Sequence, residues 1–200
     1  MALPKPPTVV SLDPQSLGDV LEDIRRVACA TGTEAVAAPL VAGLQARIDA
    51  VVASAAGAAW RPRVLHLEWV EPLMCGGHWI PEMVELAGGS NCFGRPDTGS
   101  FRLQWSEVVA SQPEVIIVMP CGFNVERAQQ DVPLLAQQEG WSTLPAVQQG
   151  RVYVIDAGAY TSRSGPRLVQ GLEILAEMIH PELFSGLIPA GAGVRLEGAL

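Results

Sequence analysis

The residues with the most chemical potential cluster in three stretches. The first, Glu71-Pro-Leu-Met-Cys-Gly-Gly-His-Trp-Ile-Pro-Glu82, gathers two acids, a histidine, a tryptophan and a thiol within twelve positions. His78 and Glu82 are four apart, as ligands on one helix face would be, and His66 and Glu68 stand two apart just upstream, on one side of a strand. Pro81 sets the helix start after His78 and spoils the i, i+4 geometry, so a metal site is not assigned. The plain alternative is a Gly76-Gly77 turn, a core Trp79 and a helix opened by Pro81 and Glu82. The second stretch, Met119-Pro-Cys-Gly-Phe123, places Cys121 on a strand-to-helix turn, where a nucleophile could sit. It lacks the G-x-C-x-G elbow, so a structural thiol is expected, with Phe123 facing either a ligand or the core. The third, Ala157-Gly-Ala-Tyr-Thr-Ser-Arg-Ser-Gly-Pro-Arg167, leads into a helix with Pro166 at its first position. Backbone N–H groups there and Arg163 would attract carboxamide, phosphate or carboxylate oxygens, or Arg163 is simply solvated. No Walker loop and no GxGxxG occurs, so a nucleotide enzyme has no support.

These loops need elements to hold them. Thr8–Leu12 reads as a strand ended by Asp13-Pro14, and Ser16 with Asp19 three residues on reads as a capping box. Leu17, Val20, Leu21, Ile24, Val27 and Ala28 then keep one apolar helical face up to Gly32. A second helix follows over Glu34 to Ala56, about 35 Å long at the helical rise, with Pro39 near its first turns. Beyond Arg61-Pro62 come strands at Val64–Trp69, Val115–Met119 and Val152–Asp156. Helices are predicted over Glu82–Ala87, Ser106–Ser111, Asn124–Gln138 and Pro166–Ile179. Strands alternating with helices predict an α/β fold with a mainly parallel sheet covered on both faces. The Gly- and Ala-rich tail from Leu187 to Leu200 is expected to be loose.

Among the 200 residues, 13 Lys and Arg stand against 21 Asp and Glu, a formal charge of −8, which leaves no electrostatic footprint for nucleic acid and disfavours anionic membranes. No apolar run approaches the roughly 20 residues of a membrane span, and the first seven residues carry no signal-peptide core, so the chain as written is expected in the cytosol. Cys29, Cys75, Cys92 and Cys121 form no CxxC and are expected to be mostly buried small hydrophobes.

From Pro62 onward the chain resembles the cobalamin-type (class III) substrate-binding proteins of ABC importers, whose two lobes are joined by one long helix. The resemblance rests on Val64-Leu-His-Leu-Glu-Trp69, Gly77-His-Trp-Ile-Pro-Glu-Met-Val-Glu-Leu-Ala-Gly-Gly89, Ser111-Gln-Pro-Glu-Val-Ile-Ile-Val118, residues 141–156 and Ser162-Arg-Ser-Gly-Pro-Arg167. It implies a remnant βα unit of the first lobe over 1–32, an inter-lobe helix over 33–60, a Rossmann-like second lobe over 61–185 and a tail over 186–200. The rest of the first lobe has no counterpart in the sequence. In that family aromatic side chains stack on the corrin ring and an Arg reaches its amides. The resemblance therefore implies Trp69, Trp79, Phe101, Phe123 and Tyr160 for the first role and Arg163 for the second, with His78 in the same ligand set. The importer-docking position falls at Ser106, beside Glu107. The family is periplasmic or surface-bound.

The expectation is non-enzymatic binding of a corrinoid (cobalamin-like) ligand, with no catalytic residue, no resident metal or cofactor, and an ABC importer permease as partner. A haem or ferric siderophore fits the same fold. The alternative is an interaction protein that binds no ligand and pairs as a homodimer or with a separate chain that supplies the missing lobe. A thiol or metal hydrolase using Cys121 or His78 is the third reading.

Overall fold

Period-two burial in the β-branched segments builds a sheet with two dry faces. A computed structural model describes residues 7–95 and 98–196. In chain order its elements are α1 (Leu17–Thr31), α2 (Glu34–Ala55), β1 (Arg63–Trp69), β2 (Met74–Cys75), α3 (Ile80–Leu86), β3 (Ser90–Asn91), β4 (Phe101–Arg102), α4 (Trp105–Ser111) and β5 (Val115–Val118). They continue with α5 (Val125–Gln129), α6 (Val132–Ala136), a 3₁₀ turn (Trp141–Thr143), α7 (Pro145–Gln148), β6 (Val152–Ile155), α8 (Ala157–Tyr160), α9 (Arg167–Ile179) and β7 (Gly193–Arg195).

The strands form one mixed seven-stranded sheet in the order β4-β2-β1-β5-β6-β7, with β3 beside the start of β1. β1, β5 and β6 are parallel at its centre, paired Val64 to Val115 through Leu67 to Val118 and Ile116 to Val152 through Val118 to Val154. The outer pairs β1–β2, β2–β4 and β6–β7 are antiparallel. Val64, Val115, Ile117, Tyr153 and Ile155 face a layer built from α1, α2, α3 and α9. Leu65, Leu67, Ile116, Val118, Val152 and Val154 face the opposite layer, filled by Ala128, Val132, Leu135, Trp141 and Leu144. Burial on both faces is what makes these strands read as continuous apolar runs.

Ser16 and Asp19 close the capping box that their spacing predicts, and Gly32 ends α1 in the left-handed region with φ 69°. α2 accommodates Pro39 and buries Ala37, Val41, Leu44, Ile48, Val51 and Ala55. Arg47 on α2 grips Glu173 on α9 with two hydrogen bonds of 2.8 and 2.6 Å.

Five expectations are corrected. Thr8–Leu12 is no strand: among the described residues no partner strand lies beside it, its residues are exposed, and Arg26 donates to the Ser11 carbonyl instead. The stretch 124–138 is two helices, because Pro133 has no N–H for the Gln129 carbonyl and disfavours helical backbone before it. The tail is not loose as far as Leu196. Glu177 accepts from the Leu187 and Ile188 N–H groups, and β7 pairs with β6. α2 does reach span-like dimensions, 22 residues with an 18-residue window at a mean hydropathy of 1.5, because its alanines and aliphatic residues outweigh Arg47 and Asp49 without forming an unbroken apolar run. Only Cys75 of the four cysteines is buried; Cys92 is half-buried, and Cys29 and Cys121 are exposed.

His66 lies wholly inside the sheet–helix interface. Its Nε2 is 3.1 Å from Asn91 Oδ1, while the Asn91 amide donates to the Pro81 carbonyl at 2.9 Å, tying β1 to the α3 entry. Burial pushes the imidazole down to about 4, so it folds neutral, with Nε2–H donating to Asn91 and the Cys75 thiol 3.6 Å from Nδ1. The unfolded imidazole, ordinarily near 6.5, takes up a proton that the folded one resists until about pH 4. Stability from this group is therefore full above pH 6.5 and is lost as pH falls toward 4, by about 2–3 kcal/mol. Urea melts at pH 7 and pH 4.5 should show that loss, and His66→Gln should flatten the difference by a similar amount.

Candidate functional site

The carboxyl ends of β1, β5 and β6 come to one edge, and the loops that leave them enclose a cleft. Glu68, Gly77, His78, Trp79, Ile80, Met119, Cys121, Thr161 and Ser162 line it, around a volume of about 210 Å³. Ligands in open α/β sheets sit beyond this edge.

Hydrogen bonds tie the three loops together. Trp79 precedes α3 and donates its indole Nε1–H to the Thr161 carbonyl at 2.8 Å, so the ring is pinned between the first and third loops with its apolar body against the core. Ser162 Oγ accepts from Gly122 N–H at 3.0 Å, and Gly158 N–H donates to the Phe123 carbonyl at 3.1 Å. The Cys121 N–H reaches the Glu68 carbonyl at 3.2 Å. Ser100 donates a short hydrogen bond to the Glu68 carboxylate.

The Gly77–Trp79 segment rests on the backbone of 98–100. A Cβ at Gly77 would lie 2.3 Å from both the Thr98 carbonyl oxygen and the Gly99 carbonyl carbon, so only glycine permits this approach. His78 follows with φ 52°, a left-handed conformation that costs a residue with a side chain about 1–2 kcal/mol. Its N–H donates to Thr98 O at 2.8 Å, and its Nδ1 lies 2.9 Å from Gln15 Oε1, ahead of α1. The histidine thus precedes the helix, as Pro81 implies, and does not share a helix face with Glu82; Glu82 accepts instead from Leu17 N–H at 2.7 Å. Among the described residues no group of three or more His, Cys, Asp or Glu could hold a metal ion.

His78 and Trp79 line the cleft, and their rings lie 5.8 Å apart. Trp69 and Phe123 meet edge-on at 5.3 Å, with Arg127 4.2 Å over the Phe123 ring. Alternation puts this pair at the same strand ends but on the opposite sheet face from Glu68. Arg163 is exposed and makes no hydrogen bond or ion pair to the other described residues, next to the cleft-lining Ser162. Tyr160 packs half-buried against the helical core. Phe101 is not brought to the cleft: it lines a separate hollow with Phe93, Arg102 and Glu107. Glu107 accepts from Gln104 N–H at 2.8 Å and completes the cap of α4. Pro166 stands one residue before α9 rather than at its first position, a difference without consequence for a residue that has no N–H.

Cys121 is a correction with functional weight, because it is exposed and forms part of the cleft rather than the core. Met119, from the second stretch, and Thr161 and Ser162, from the third, line it as well. Gln15 had no signal at all, since its partner is 63 positions away. Burial pushes the Cys75 thiol up to about 12 and that of Cys92 to about 11, which leaves both inert near neutrality. A chromogenic disulfide reagent at pH 8 should label two of the four thiols quickly, Cys29 and Cys121, and Cys121→Ser should leave one; three or more fast thiols would contradict this burial pattern.

Comparison with known proteins places this arrangement. Over 106 residues the chain is 31% identical to the uncharacterized ABC transporter substrate-binding lipoprotein YvrC of Bacillus subtilis (strain 168), a match covering 53% of this chain and 31% of that protein. It superposes on the periplasmic heme-binding protein RhuT from Roseiflexus sp. RS-1 with a TM-score of 0.70 and 26% identity, over 84% of this chain and 65% of that one. The periplasmic vitamin B12 binding protein BtuF of Vibrio cholerae gives a TM-score of 0.70 at 20% identity, over 87% and 65%. The chain thus spans about a third of the curated relative and about two thirds of each of these structures. Residues 3–159 match the periplasmic binding protein family, and with this fold and this strand-end cleft the chain belongs to that family.

Proposed function

We propose that the chain is the ligand-binding part of an ABC-transporter substrate-binding protein, that it performs no catalysis, and that its ligand is a corrinoid or closely related tetrapyrrole. The observation that carries this reading is the Trp79 wall of the strand-end cleft, held by the indole bond to Thr161. A tetrapyrrole presents a broad apolar ring with amide or carboxylate arms. A pinned indole offers the ring a preorganised apolar surface, so little side-chain freedom is lost on binding. Arg163, with no ion pair to the other described residues, suits the arms, because a guanidinium can hold a carboxylate or amide oxygen through two donors.

Trp69 and Phe123 stand at the same strand ends but on the other sheet face, where Arg127 stacks over Phe123, so the aromatic surface of the cleft itself is Trp79. Phe101 stands apart from this surface, and Tyr160 supports it from the core side. The names of the two structural relatives, one a heme binder and one a vitamin B12 binder, support the tetrapyrrole class. Hand-over to a membrane permease is the partner interaction that goes with this role.

Calorimetric titration with cyanocobalamin, cobinamide and haemin tests the proposal. At least one should bind, and Trp79→Ala should weaken it about 30-fold or more, as loss of a central aromatic contact does. Arg163→Ala should cost less, about five- to tenfold, and more for the ring with free carboxylates. A folded protein that binds none of the three at high micromolar concentration would overturn the reading.

A further inference from the structure

We propose that His78 donates its Nε2 lone pair to the metal of a metallated tetrapyrrole in this cleft, with Gln15 as the positioning residue that sets its tautomer; this rests on the tetrapyrrole reading above. The Gln15 side-chain oxygen can only accept, so at 2.9 Å it requires the proton on Nδ1. A neutral imidazole protonated there carries its lone pair on Nε2, which has no hydrogen-bond partner among the described residues. Metal-ligating histidines are held in the same way, with the other ring nitrogen bonded to an oxygen acceptor.

Backbone geometry supports the assignment. His78 is held at φ 52° by its N–H bond to Thr98 O and by the close approach of Gly77, and local strain of this kind collects where a side chain must be aimed. A bare ion would need several protein ligands, and no such cluster exists among the described residues. A tetrapyrrole brings four in-plane nitrogens, so one imidazole suffices. The step forms an Nε2–metal bond and breaks a metal–water bond; the water leaves, and neither a proton nor an electron is transferred. Cys121 shares the cleft, but a thiol must lose its proton before it ligates, whereas the neutral imidazole needs no such loss.

The test titrates the full chain with haemin and with metal-free protoporphyrin IX, and follows the Soret band and the electron paramagnetic resonance of the iron. Wild type should bind both rings and show an imidazole-ligated iron signature. His78→Ala should lose the signature, regain it on addition of free imidazole, and lose at least ten times more affinity for haemin than for the metal-free ring. Gln15→Ala should reduce the preference for haemin over the metal-free ring about threefold or more, and Gln15→Glu, which keeps the acceptor, should restore it. Both rings bound without an imidazole signature, or a signature that follows Cys121→Ser instead, would overturn the coordination while leaving the cleft reading intact. Neither ring bound would overturn both.

Discussion

Parallel pairing of β1, β5 and β6, with side chains buried on both faces, is the constraint on which the rest depends. Parallel neighbours must all end at one edge, and the crossover helices that link them must cover the faces. Residues 64 to 67, 115 to 118 and 152 to 155 are almost wholly excluded from water, so a register slip of one residue would turn each apolar set toward the wrong layer. The loops that follow therefore have no choice of side. Trp79, Cys121 and Thr161 come from positions 82 residues apart in sequence at the extremes, yet they meet because their strands end together.

Below the cleft, a small polar core stiffens this edge. His66, Asn91 and the Pro81 carbonyl join β1, β3 and the entry of α3 in one chain of hydrogen bonds within an otherwise apolar interior. Burial selects the neutral form of His66 against the opposing pull of the Asn91 hydrogen bond, and the chain holds because each member is satisfied. Above it, glycine at 77 and the left-handed His78 allow the loop to fold onto 98–100 while the helix begins immediately afterwards. The same histidine reaches Gln15, so the segment ahead of α1 is fastened to the cleft as well as to Glu82.

Much of this was legible in the residues. The capping box at Ser16 and Asp19, the three central strands, and the long helix with its buried stripe are local patterns, and local patterns survive folding. The two-residue strands β2, β3 and β4 carry too little periodicity to be read, and β7 forms through long-range pairing with β6, with Gly193 packed close to the Met178 methyl. Thr8–Leu12 has strand propensity but no strand to pair with among the described residues. For the site, aromatic residues at strand ends pointed to Trp79 and Trp69 correctly as strand-end residues, but a single residue of phase decides which sheet face each one takes. Phe101 was unreadable for another reason: it belongs to β4, a strand of two residues that is too short to predict. Cys121 was expected to be structural because cysteines are usually buried, but it stands in the turn beyond the end of β5 at Val118 and is exposed.

Backbone hydrogen exchange with and without haemin or cobinamide tests the central claim most directly. If the joined strand ends form the binding surface, ligand should slow exchange at 77–79, 121–123 and 160–163 together, since these loops share hydrogen bonds, and leave α1 and the outer face of α2 unchanged. Protection confined to a separate site, an apolar groove that Val20, Ile24 and Val27 of α1 form with Val36 and Leu40 of α2, with the strand-end loops unaffected, would contradict it.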